Sequence, residues 1–473
     1  MQSFAQPDEP FDLVVIGGGI VGAGTAALAA RSGFRVALLE RADFASATSS
    51  ASSKLIHGGL RYLRMGDARL VREALRESLI LRRHVAPHLV RELRFVLPVY
   101  RGAPYGPLAI RAAMGAYGAL ALRRNAIVSP ERARRLVPDL RPDGLRAAGV
   151  YCDAQTNDAR LVLANVRAAA DAGAFVANRC AVVGIEPGVV HTSTGLELRT
   201  RHIVNATGAA VDDVRRLEDP RAGTSISLSR GTHLVLDLPP NWAAALTTQV
   251  DRSRVSFAIP WEGMLLLGTT DTPAETPEAT DEDEAQILEE ASRSLPPELL
   301  ARDAVRARFA GLRALPLTSC ATANARREVV LTRGRHGVVS VAGGKLTTYR
   351  VIAQNVLREL GLSVPATPFA LPGAADPAAV AAELDVDPAL AIHLARTYGS
   401  LAHDVLAVSN DLTPLVEEAP DIAAQVVYAR EQEWAVDADD VLRRRTTLAL
   451  RGLATPDVRR RVDELLAATA ETV

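Results

Sequence analysis

The segment Phe11–Glu40 admits few folds. An apolar run, Leu13–Ile16, meets Gly17-Gly18-Gly19-Ile20-Val21-Gly22; an alanine-rich stretch follows, and the run Arg35–Leu39 ends in Glu40. That alternation predicts strand, glycine turn, helix and strand, a βαβ unit. In this context the GxGxxG spacing is a dinucleotide fingerprint. Its logic is steric and electrostatic: Gly17 permits a tight turn, Gly19 lets backbone approach a pyrophosphate, and Gly22 lets helix and strand pack closely. Glu40, about 20 residues on, accepts from ribose hydroxyls and repels a 2′-phosphate. The fingerprint alone does not separate FAD from NAD.

Composition narrows the class. The 473 residues are 48% hydrophobic and 23% charged, values of a globular chain long enough for several domains. Lys+Arg of 54 against Asp+Glu of 55 leaves a net charge of −1, so no global field draws in nucleic acid and any anion site must be local. Cys152, Cys180 and Cys320 lie far apart without metal-ligand spacing, which points to a reduced compartment and away from zinc or iron–sulfur chemistry. The N-terminus MQSFAQPDEP carries no secretory pattern.

Lysine occurs only at Lys54 and Lys345. Both fall in unusual segments. Thr48-Ser49-Ser50-Ala51-Ser52-Ser53-Lys54-Leu55-Ile56-His57-Gly58-Gly59 replaces the plain helix expected after the second strand of a simple NAD domain. Its His-Gly-Gly end would let a flat ring lie against backbone, beside the charge of Arg61 and the phenol of Tyr62. Ala342-Gly343-Gly344-Lys345-Leu346-Thr347-Thr348 is a second glycine turn feeding a helix N-terminus, where free N–H groups stabilise negative charge. Reduced flavin carries such charge, which favours FAD.

Elsewhere, residues 69–83 have the spacing of an amphipathic helix. Residues 107–122 are apolar apart from Arg111 and are bracketed by Arg101, Arg123 and Arg124. They are too short to span a bilayer; they suit either a helix lying in the interface plane or one buried between domains. Short strands and an alanine-rich helix occupy 150–210, closing on Asn205-Ala206-Thr207-Gly208; 224–271 reads as β structure, 277–293 as a polar helix, 363–381 as a linker, and the rest as helices.

The motifs TSSASSKLIHGGLRYL, GGGIVGAG, NATG, RGTHLV, GLRALP, AGGKLTTYR and EWAVDADDVLRRRT, in this order, resemble those of the FAD-dependent glycerol-3-phosphate dehydrogenases across essentially the whole chain. The resemblance implies an α/β protein: a Rossmann-like FAD-binding domain of the D-amino-acid-oxidase type (1–90, 150–215, 336–365), a cap or membrane-facing segment (91–149), a mixed-sheet substrate domain (216–335) and an all-helical C-terminal domain (366–473). It implies FAD contacts from Gly17, Gly19, Gly22, Glu40, Thr48, Ser49, Ser53, Lys54, His57, Gly58, Gly59, Gly208, Gly344, Leu346 and Thr347. A phosphate dianion needs several cationic donors. Arg61, Arg313, Arg327 and Lys345 lie in or beside the matching motifs; His233, in RGTHLV, matches an active-site position, with Tyr62 and Thr348 as hydrogen-bonding partners. Two departures stand out: Val21 replaces a frequent Asn, and Arg326-Arg327-Glu328 replaces the usual Arg-Asp, leaving Arg326 and Arg327 both eligible.

The implied reaction oxidises sn-glycerol 3-phosphate to dihydroxyacetone phosphate, with hydride to FAD and electrons to a membrane quinone. The expected location is cytoplasmic, on the inner face of the cytoplasmic membrane through 104–124; the resemblance also allows a homodimer. Alternatives are an oxygen-using oxidase, an amine or amino-acid oxidase of the same superfamily, and a flavin redox sensor without turnover.

Overall fold

The apolar run expected as the first strand lies inside a parallel sheet. Phe11–Ile16 pairs with Val36–Leu39 on one side and Glu197–Asn205 on the other, with Val15 between Leu38 and Val204. The computed structural model of the chain describes residues 6–59, 67–317 and 329–470. The main path of this sheet runs Val330–Arg333, Val339–Ala342, Glu197–Asn205, Phe11–Ile16, Val36–Leu39 and Phe175–Ala177. Leu13, Val14 and Val15 are wholly buried, as a strand covered on both faces requires. Ala23, Ala26 and Ala27 of the helix Ile20–Arg31 bring the helices Asp158–Asp171 and Tyr349–Glu359 close over one face.

A second sheet, of ten strands among the described residues, carries the other wall of the site. Its path is Thr272–Pro273, Ile226–Asp237, Met264–Gly268, Val255–Trp261, Ala245–Gln249, Val90–Tyr100, Leu145–Thr156 and Leu55–Ile56, with Val305–Pro316 on the far side of Ile226–Asp237. The sheet is mixed: Ala245–Gln249 runs parallel to Val90–Tyr100, whereas Leu145–Thr156 runs antiparallel to it.

This topology revises the expected boundaries. Residues 91–149 are not a separate cap, because Val90–Tyr100 pairs along its length with Leu145–Thr156 in the substrate sheet. The boundary drawn at 150 cuts through that second strand. The physical reason is non-local pairing: Phe95 finds Ala245 across the sheet, a partner no local pattern reveals. The expected linker 363–381 runs into a helix, Pro377–Glu383, started by Pro377 and capped by Asp376, whose carboxylate accepts from the Ala378 amide.

The C-terminal region is helical, with its own apolar clusters around Leu394, Tyr398, Val426, Leu442 and Val462. It also contains a hairpin, Pro414–Val416 with Ala419–Ile422. The apolar stretch after residue 104 forms the helix Pro107–Ala121, which buries Ile110, Met114, Tyr117 and Gly118 and leaves Leu108 83% and Leu122 92% exposed. Among the described residues no helix is long and apolar enough to cross a membrane.

Candidate active site

Gly17 sits at φ 106°, and a Cβ there would fall 2.7 Å from the Ala206 carbonyl oxygen. A Cβ on Gly22 would come within 1.9 Å of the Gly17 oxygen, so Gly22 is the contact that lets helix and turn meet; it does not itself line the cavity. The Ile20 amide at the helix start donates to Ser49 Oγ at 3.0 Å. Glu40 accepts from the Gly18 and Ala42 amides at 2.7 and 2.9 Å. Burial pushes its carboxyl above the ordinary range, and the two amide bonds oppose that rise.

From this end a continuous cavity of about 970 Å³ runs between the two sheets to Gly343, Gly344 and Lys345. Its size is at the upper end of small-molecule sites. The wall includes Gly17, Gly19, Glu40, Thr48, Ser49, Ser53, His57, Gly58, Gly59, Gly208, Gly344, Leu346 and Thr347. The two glycine-rich segments are stitched together by the His57 amide, which donates to Thr347 Oγ1 at 3.1 Å, while Thr48 Oγ1 ties the first of them to the strand Val305–Pro316 by donating to the Leu312 carbonyl at 2.6 Å. These residues fit FAD: a carboxylate at the ribose end, side-chain-free backbone along the wall, and a helix start at the far end.

At that far end His233 and Arg313 project from neighbouring strands, Ile226–Asp237 and Val305–Pro316. His233 shares a 2.8 Å hydrogen bond through Nε2 with Ser53 Oγ and stacks on Phe309 at 5.1 Å. Burial, then the positive charges of Arg313 and Lys54, hold its imidazole well below the ordinary histidine range, so the ring is neutral. Arg313 donates to Thr269 Oγ1 at 2.9 Å and the Thr270 carbonyl at 3.0 Å, and pairs with Asp271 at 3.3 Å. Gly231 makes room for it: a Cβ there would meet the guanidinium at 2.2 Å.

Besides Gly22, two further expected contacts are corrected. Lys54 does not face the cavity. It is buried behind the wall, pairing with Asp158 at 2.7 Å and lying 5.2 Å from the rings of both Trp261 and Phe309. A motif locates the segment but not which way a side chain turns. Thr348 is likewise buried outside the cavity wall, at the start of the helix Tyr349–Glu359. Lys345 does line the cavity. Arg61, Tyr62, Arg326 and Arg327 lie outside the described residues.

Arg254 and Asp153 are among the wall residues that escaped the sequence reading. Arg254, at the start of the apolar strand Val255–Trp261, reaches Glu290 at 3.0 Å and the Thr269 carbonyl at 3.4 Å. Asp153 lies within the strand Leu145–Thr156, and burial lifts its carboxyl to about 7 against the hydrogen bonds of Tyr117 and Gly58. A lone arginine before a strand and a lone aspartate within one are weak signals without the pairing partners.

Residues 12–350 match a family model described as FAD dependent oxidoreductase, and residues 366–471 one described as the C-terminal domain of alpha-glycerophosphate oxidase. A glycerol-3-phosphate dehydrogenase of Synechocystis is 35% identical, covering 93% of this chain and 89% of the relative. The human mitochondrial glycerol-3-phosphate dehydrogenase is 35% identical, covering 94% of this chain and 68% of the relative. Among solved structures, the Bacillus halodurans glycerol-3-phosphate dehydrogenase complexed with FAD superposes with a TM-score of 0.73 at 28% identity, covering 98% of this chain and 95% of that one. The L-alpha-glycerophosphate oxidase of Mycoplasma pneumoniae, at 17% identity and a TM-score of 0.60 over 77% of this chain and 99% of that one, shares the fold. With a shared cofactor fold over most of its length and named relatives over nearly all of it, the chain belongs to the FAD-dependent glycerol-3-phosphate dehydrogenase family.

Proposed function

We propose that the protein oxidises sn-glycerol 3-phosphate to dihydroxyacetone phosphate and delivers the electrons to a membrane quinone. The observation that carries the first part is the pairing of a neutral His233 with Arg313 in one cavity continuous with the dinucleotide wall. FAD, when bound, supplies the hydride acceptor. The protein's own residues bind the phosphate and manage the hydroxyl proton. Arg313, Arg254 and Lys345 supply positive charge for the dianion, joined by Arg61 and by Arg326 or Arg327. His233 accepts the C2 hydroxyl proton, with Ser53 fixing its ring. Substrate charge helps at the right moment: a dianion beside Arg313 cancels part of the field that depresses His233, so the imidazole becomes more basic once substrate is in place.

The quinone clause rests on the helix Pro107–Ala121. Its Ala109, Ala112 and Ala113 line the cavity, while exposed Leu108 and Leu122 lie in a stretch flanked in sequence by Arg101, Arg123 and Arg124, a pattern suited to the face of an anionic bilayer. This gives a peripheral position on the inner face of the cytoplasmic membrane. The test is anaerobic titration of the purified holoenzyme with glycerol 3-phosphate, followed at the flavin absorbance, then addition of quinone in vesicles. Bleaching by glycerol 3-phosphate but not by glycerol, with reoxidation by quinone, is expected. Bleaching by amines instead, or reoxidation by oxygen alone with hydrogen peroxide formed, would overturn the substrate or acceptor respectively.

A further inference from the structure

The C-terminal helical region reaches the dinucleotide site from behind. After Glu40 the chain forms a loop whose Arg41, Ala45, Ser46 and Ala47 line the cavity. Asp43 and Phe44 turn the opposite way and are 1% and 0% exposed. Arg444 and Arg445 both form ion pairs with Asp43, and Arg445 Nη2 reaches the second carboxylate oxygen at 2.9 Å. Phe44 meets Trp434 edge-on with ring centroids 5.7 Å apart. The same phenyl ring lies under Gly18 of the fingerprint, where a Cβ would come within 2.4 Å of it. Asn178 closes the joint, donating to Asp43 at 3.3 Å and to the Trp434 carbonyl at 2.9 Å.

The loop's own conformation needs such support. Ala45 is held at φ 60°, a region an alanine rarely adopts, with its amide donating to the Gly18 carbonyl at 3.1 Å. Left to itself, a short loop samples many shapes, and ordering it on binding weakens the ligand. Here the ordering contacts come from residues about 400 positions later.

We infer that the C-terminal region is a cofactor-retaining element, in which Trp434, Arg444 and Arg445 are positioning residues that hold Gly18 and the loop 41–47 in the shape that receives the adenosine half of FAD. The inference rests on Glu40 marking the adenosine end, and not on the substrate or the electron acceptor.

The test uses full-length protein stripped of flavin. Dissociation constants for FAD and for ADP are measured for the wild type, W434A, W434F and the double variant D43N/R445M, which removes both charges of that pair and leaves Arg444 its ion pair with Asp440. V462A, a buried cavity in the C-terminal cluster away from the loop, serves as the stability control. In W434A and the double variant the constants for FAD and ADP should both rise at least tenfold, with W434F close to wild type. The KM for glycerol 3-phosphate at saturating FAD should stay within twofold. Unchanged FAD affinity in W434A and the double variant would overturn the inference. So would an equal rise in V462A at the same loss of Tm, because the effect would then be general loosening. Failure of the wild-type apoprotein to bind ADP would overturn it at its premise, leaving the substrate reading untouched.

Discussion

The phenol of Tyr117 donates a 2.7 Å hydrogen bond to the carboxyl group of Asp153, and the Gly58 amide donates to the same oxygen at 3.2 Å. One buried carboxyl therefore ties the helix Pro107–Ala121 to the His-Gly-Gly turn of the cavity wall. Burial raises this group to about 7 in the folded protein, above its unfolded value, so the native state holds the proton more tightly. Its contribution to stability is full below about pH 4 and is lost as pH rises to 7, a few kcal/mol in all. Asp153→Asn should remove that loss, so the difference in unfolding free energy between variant and wild type should rise from pH 4 to 7. Denaturant unfolding across that range checks it; a flat difference would contradict the assignment.

Gly231→Ala should separate activity from folding. The added methyl collides with the far end of Arg313, which is flexible, so the guanidinium moves and the strands stay paired. Turnover of glycerol 3-phosphate should fall by about 100-fold, consistent with about 3 kcal/mol for a displaced charged contact, while Tm and flavin content change little. Arg313→Ala should lose at least as much, with no loss toward unphosphorylated glycerol.

His233→Gln should lower kcat by roughly 10²–10⁴, the span of a positioned proton acceptor. Because the folded imidazole titrates below its unfolded value, it disfavours the native state as pH falls through about 6.5 toward the folded value. The glutamine variant should therefore be less acid-sensitive in unfolding than the wild type. Stopped-flow flavin reduction and acid melts measure the two effects separately.

Lys54→Met should act on the fold and not on the cofactor. It leaves Asp158 buried without its cation, which typically costs about 3–5 kcal/mol. Lys54→Met with Asp158→Asn should recover most of that stability. In both, the flavin spectrum of the folded fraction should match the wild type, because the lysine lies behind the wall.

Leu108→Glu with Leu122→Glu should abolish sedimentation with anionic vesicles and quinone reduction there, yet leave dye-linked turnover intact. Both side chains are exposed, so neither change disturbs packing. Unaltered vesicle binding would remove the helix from the membrane proposal.

What could be read ahead of the structure was local. The turn Gly17–Gly22 and Glu40 sit within one βαβ unit, where periodicity and glycine placement state the geometry. His233 and Arg313 were found through motifs and share a strand pair. What was missed depends on distant partners. Lys54 faces Asp158 because the strand Leu55–Ile56 pairs with Leu145–Thr156, and Asp153 and Arg254 enter the cavity only once the ten-stranded sheet is assembled. Arg444 and Arg445 fall in the matching motif EWAVDADDVLRRRT, which states no role for them; only packing turns them toward Asp43.

The polypeptide passes back and forth between its two large sheets: residues 11–39 lie in one, 55–56 and 90–156 in the other, 175–205 return, 226–316 leave again, and 330–342 come back. Neither sheet is a continuous stretch that could be cut out, shuffled with a homologue, or expressed as a fragment. Recombination between relatives should succeed only where whole alternations are exchanged together, so the seam that houses the chemistry is inherited as one indivisible block.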